Sequence, residues 1–183
     1  MIRRLLSACA FLGLSACSGL VPATLIEMAR LDPFSADPAG FAVGIDTASG
    51  IAPAAGTAQL TFTATHSPRG DIRRFDARLI EQDAGPDRVI YRLAPGDVGA
   101  LRAYQQEIAG WRDTSDGNST LALTVSAEGC RTRATGLPED PRISVFIRLT
   151  PEGRMRPLLR KAPALPFFEA QSPGDLPLCA GTR

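Results

Sequence analysis

Apolar and polar residues alternate with a period of two along much of the chain. Phe41, Val43 and Ile45 are separated by smaller or polar residues, and Leu60, Phe62 and Ala64 interleave with Thr61, Thr63 and Thr65. Phe75, Ala77 and Leu79 interleave with Arg74, Asp76 and Arg78, and Val89, Tyr91 and Leu93 follow the turn signal DAGPD. Each run has the pattern of an antiparallel strand with one face buried, and the Gly and Pro punctuation predicts a meander of about four strands. From Asp97 the period changes: Val98, Leu101, Tyr104, Ile108 and Trp111 recur three or four residues apart. That spacing predicts an amphipathic helix with Asp97 as its N-cap, weakened by Gly99 and Gly110 at about 1 kcal/mol each relative to alanine. Alternation resumes at Leu121, Leu123 and Val125 and again at Ile143, Val145, Ile147 and Leu149, with a short last strand over Met155 to Arg160.

The ends read differently. Thr24-Leu25-Ile26-Glu27 matches a capping box, with Thr24 as N-cap and Leu25, Met28, Ala29 and Leu31 as the apolar face of a short helix that Asp32-Pro33 ends. Residues 162–183 are rich in proline and carry neither helix nor strand period. The expected class is therefore α+β: an antiparallel sheet of about six or seven strands with one amphipathic helix packed on a face. A β-sandwich or a partly closed barrel with a covering helix is the alternative.

Residues 1–16 have the layout of an export signal: Arg3 and Arg4, then the apolar run Leu5 to Leu14, then small side chains. The run is about half of the roughly 20 residues that a membrane-spanning helix needs. Leu14-Ser15-Ala16-Cys17 resembles the lipobox of bacterial lipoproteins. The resemblance covers only about the first 18 residues. It implies cleavage before Cys17, a diacylglyceryl group on the Cys17 sulfur and a further acyl chain, of the palmitate kind, on the new amino end. Ser18 is not the aspartate that resembles an inner-membrane retention signal, so the expected address is the periplasmic side of the outer membrane. Residues 17–23 then form the lipidated cysteine and a short tether, and residues 24–183 a single periplasmic domain. The six residues Ser18–Ala23 reach at most about 20 Å, so the domain should sit against the membrane surface.

Charge and cysteine content narrow the picture. Without Arg3 and Arg4 the 20 basic residues become 18 against 19 acidic ones, a net of −1. Such balance offers no footprint for nucleic acid. Cys9 leaves with the signal and Cys17 is taken by lipid, which leaves Cys130 and Cys179. In an oxidising compartment two leftover thiols predict a disulfide, here one that staples the proline-rich tail to the domain.

Candidate chemistry is sparse. His66, the lone histidine, lies near Ser67 and Asp71, but nearness in sequence does not bring a Ser-His-Asp relay into hydrogen-bond reach, and a turn or surface position is expected. Asp113 to Thr120 is rich in oxygen ligands, yet no register from Asp113 or Asp116 satisfies a calcium loop. Glu81, Asp83, Asp87, Glu107, Glu139 and Asp140 could pair only through the fold. Arg73-Arg74 and Arg156 to Lys161 read as solvated faces, and Trp111, Tyr104, Phe167 and Phe168 as packing residues. No catalytic residue, metal site or cofactor is assigned. The leading expectation is a membrane-anchored, non-catalytic binding or scaffolding component of the cell envelope, acting on a protein partner. A carboxylate-based hydrolase would need two carboxyl groups about 5–9.5 Å apart, and a small-ligand carrier would need a cavity.

Overall fold

The computed structural model describes residues 19–32, 34–47, 49–66, 70–83, 85, 87–114 and 119–180. Residues 1–18, with the expected export signal and Cys17, and Ser67 and residues 115–118 of the oxygen-rich segment therefore lie outside the described residues. The chain forms α1 (Pro22–Arg30), β1 (Ala42–Asp46), β2 (Ile51–Pro53), β3 (Gln59–His66), β4 (Asp71–Asp83) and β5 (Arg88–Leu93). There follow α2 (Pro95–Thr114), β6 (Ser119–Ser126), β7 (Gly129–Arg131), β8 (Arg142–Arg148), β9 (Arg156–Pro163) and α3 (Ala164–Phe167). Seven strands make one antiparallel sheet in the order β6-β3-β4-β5-β1-β8-β9, curled into a half-barrel. The α+β class with a partly closed barrel is thus what the chain adopts.

The curl has a visible origin in β4. Its first part, Asp71–Arg78, pairs with β3, while Leu79–Asp83 pairs with β5. One 13-residue strand therefore changes partner half-way and joins two half-sheets. The concave side is filled by the alternating apolar residues that the sequence predicts, among them Val43, Ile45, Leu60, Phe62, Ala77, Leu79, Val89, Tyr91, Val145 and Ile147. Leu101, Tyr104 and Ile108 of α2 pack against them. The Tyr104 hydroxyl ties the helix to the sheet by donating to the Arg73 carbonyl at 3.0 Å.

Several expectations are corrected. The meander is β3-β4-β5 only; β1 lies on the far side of β5, paired with both β5 and β8. Its residues Ala42 to Ile45 are buried on both faces, because Met155 covers the outer side at Gly44 and Arg88 stacks 3.9 Å from the centroid of the neighbouring Phe146 ring. A strand covered on both faces belongs in mid-sheet. Helix α2 begins at Pro95, so Asp97 is in the first turn and not at the cap. Helix α1 starts after Val21, so Thr24 is no N-cap. Instead Thr24 is buried and its hydroxyl donates to the Pro157 carbonyl at 2.7 Å. The last strand runs on to Pro163, and the tail continues into α3. A small β2–β7 sheet, invisible in the periodicity, pairs Ala52 with Cys130.

The disulfide between Cys130 and Cys179 is present, with Cα atoms 5.0 Å apart. It fastens the tail to β7, as expected. Backbone bonds reinforce it: Arg131 N–H donates to the Pro177 carbonyl at 2.8 Å and Cys179 N–H to the Arg131 carbonyl at 2.9 Å. Gly129 is glycine for a packing reason, since a Cβ there would stand 2.7 Å from Phe168.

Candidate functional site

A groove of about 340 Å³ lies beside β6, between it, α2 and the end of α1. Leu121 and Leu123 of β6 form one wall, at one edge of the sheet. Met28 and Leu31 form the opposite wall, at the end of α1, and α1 is fastened to β9, the other edge, by Thr24 and by the Arg156–Glu27 ion pair at 2.7 Å. Phe41, Phe62, Leu101 and Leu149 complete an apolar lining. The walls on β6 come from the period-two pattern: Leu121, Leu123 and Val125 point inward while Thr120, Ala122 and Thr124 face solvent.

Two polar groups shape the rim. Gln105 is buried on α2, and its amide donates to the Ala36 carbonyl at 3.0 Å, which holds the loop after α1 against the helix. Asp37 accepts from the Ala39 N–H at 3.1 Å and from Arg102 at 2.6 Å. The Ala39 N–H, then the Arg102 guanidinium, hold the Asp37 carboxyl below the usual carboxylate range. It is thus an anion at neutral pH, a poor proton donor and a good structural clasp.

The sequence-nominated groups lie elsewhere. His66 ends β3 opposite Asp71 in register, but it is buried, not at the surface. The reason is Trp111, whose ring meets it edge-on at 5.3 Å and encloses it. Its Nδ1 has no hydrogen-bond partner among the described residues, and Asp71 is exposed, so the histidine and the aspartate do not form the relay's second link. Glu107 pairs with Arg73 at 2.9 Å and Asp140 with Arg142. Glu81 stands on β4 opposite Tyr91, Asp87 in the turn before β5, and Glu139 before β8. None of them lines the groove. Arg74 pairs with Asp76 at 2.7 Å. Tyr104 and Phe168 are buried packing residues as read, and Phe167 meets Phe168 edge-on. Among the described residues no group of three His, Cys, Asp or Glu side chains is placed to hold a metal ion.

A binding component implies a surface groove or apolar patch near the helix or the proline-rich tail, but the residues that line this groove were not read from the sequence. One signal was available: Gln105 falls four residues after Leu101 and three before Ile108, a polar side chain on the apolar stripe of α2. Comparison with models of known families, with curated proteins and with solved structures finds no match to this chain.

Proposed function

We propose that this protein is a lipid-anchored periplasmic lipoprotein, attached through Cys17 and favouring the outer membrane, that acts as a non-catalytic binding component of the cell envelope. The groove between α1, α2 and β6 is its binding surface. The observation that carries the reading is the character of that groove: apolar walls of about 340 Å³, one ion-paired carboxylate at the rim and a buried amide committed to the backbone. A hydrolase of the carboxylate type needs a second carboxyl group facing the first, and among the described residues Asp37 is the one carboxylate in the lining. An apolar anchor from an envelope protein, one or two large side chains seated in a pocket, is the occupant such walls suit.

The test is a photo-crosslinking residue at Leu123, inside the groove, with Thr124 on the solvent face as control, used in intact cells. A discrete protein adduct from position 123 alone is the expected result. Equal labelling from both positions would overturn the reading. A second reading, a carrier of a small apolar ligand, draws on the same volume, which lies within the ordinary range of ligand pockets. It predicts a low-mass adduct at position 123 in place of a protein.

A further inference from the structure

Helix α1 is built inside out. Its inner side carries Thr24, bonded to Pro157, Glu27, paired with Arg156, and the half-buried Met28. Its solvent side carries Pro22, Leu25, Ile26 and Ala29, all exposed. These four stand at the i, i+3, i+4, i+7 spacing of a single apolar stripe. Leu25 is 40% and Ile26 55% exposed, and Leu20, just before the helix, is 40% exposed. A short helix with its apolar stripe in water contradicts the pattern that folds the rest of the domain, and such conflicts concentrate where a surface has work to do.

Where the chain enters decides what covers the stripe. Part of the stretch expected to be a short tether is fastened to β9: Gly19 accepts at its carbonyl from the Arg160 N–H at 2.8 Å, and the Val21 N–H donates to the Leu158 carbonyl at 3.0 Å. Two residues, Ser18 and Gly19, separate Cys17 from Leu20, and the three chain steps reach roughly 10 Å at full extension. Exposed basic residues border the same region, Arg30 at the end of α1 and Arg160 and Lys161 on β9 beside Gly19. This grouping in space, absent as a run in sequence, complements anionic headgroups.

We infer that the outer face of α1, with Leu20, lies in the headgroup–acyl boundary of the bilayer that holds the Cys17 lipid, so the domain is docked in one orientation and not merely tethered. The inference rests on the lipid-anchor reading. Docking sets one face of the molecule on the membrane and keeps the groove, whose wall includes Met28 and Leu31 of the same helical segment, at a fixed height above it.

The test uses the full, natively processed protein in vesicles of phosphatidylethanolamine and phosphatidylglycerol containing acyl-brominated lipid. Ile26→Trp reports on the stripe, and Ile72→Trp, at a residue 60% exposed on β4, serves as control; the unsubstituted protein supplies the Trp111 background. Several-fold stronger quenching and a blue shift for Ile26→Trp alone are expected. Adding Leu25→Asp to Ile26→Trp should abolish the quenching while flotation with vesicles persists. Protein that floats with equal quenching at positions 26 and 72 overturns the docking and leaves the anchor standing. Ile26→Cys protein that forms a disulfide-linked pair on vesicles, with position 26 unquenched, overturns it in favour of a second copy. Protein whose intact mass shows a bare Cys17, and which does not float, overturns the anchor reading and the docking with it.

Discussion

Replacing both Cys130 and Cys179 by alanine is expected to lower the unfolding free energy by about 4 kcal/mol. The cysteines are 49 residues apart. In the chain-entropy treatment, closing a loop of about 50 residues removes some 14 cal/mol/K from the unfolded ensemble, which is about 4 kcal/mol at room temperature. The native state should change little. Arg131 keeps three bonds to the tail, through its N–H to Pro177, its carbonyl from Cys179 and its Nε to Leu176 at 2.8 Å. Leu176 and Phe168 remain in the core. The loss should thus appear as stability and not as structure, and against a typical total of 5–15 kcal/mol it is a large fraction. Urea unfolding of oxidised wild type and of the double variant, followed by near-ultraviolet circular dichroism, measures it. The variant should unfold at lower urea with a steeper slope, because an uncrosslinked chain exposes more surface. A difference under about 1 kcal/mol with native-like spectra would refute the argument, since the bridge would then not restrict the unfolded chain as the loop length requires.

Three other outcomes are expected. Tyr91→Phe should raise the unfolding free energy by about 1 kcal/mol, because the Tyr91 hydroxyl is buried, has no hydrogen-bond partner among the described residues and is pushed up to about 12 by burial; thermal unfolding at neutral pH measures the sign. Gly129→Ala should lose about 2 kcal/mol by overpacking, since the new Cβ would meet Phe168 at 2.7 Å; faster proteolysis of the tail is the accompanying readout. Asp37→Asn should flatten the acid limb of stability. The folded carboxyl is held below its ordinary 3.8, so its contribution is present above that pH and lost as pH falls through the lower folded value. Asp76 and Asp175 shift the same way and keep their share, so the midpoint-against-pH slope below 3.8 should shrink, not vanish.

The legibility of this fold divides along the range of its contacts. Alternation located β3, β4, β5, β6 and β8, and the three-four spacing located α2, because each pattern is local and one face of each element is buried. The place of β1 was hidden, since Met155, Arg88 and Phe146 cover its outer face from distant parts of the chain. The orientation of α1 was hidden for a related reason: a threonine bonded to Pro157 and a glutamate paired with Arg156 satisfy a polar side that hydrophobicity alone would turn outward. The lining of the groove escaped because it comes from six separated stretches, and a cavity is what their packing leaves unfilled. The disulfide was legible because the lipobox resemblance sets Cys9 and Cys17 apart and leaves Cys130 and Cys179 to pair.

The fastening of Gly19 to Val21 onto β9 has a temporal side. Thr24 and Pro157 meet across 133 positions, and β1 likewise waits for β8 to emerge. A growing chain therefore carries its amino-terminal segment unpartnered until almost the entire polypeptide has been made, and such long-range pairing slows folding. If the chain is exported and lipidated as proposed, the enzymes that process it meet that segment unpaired. Only the arrival of the final strand closes their access.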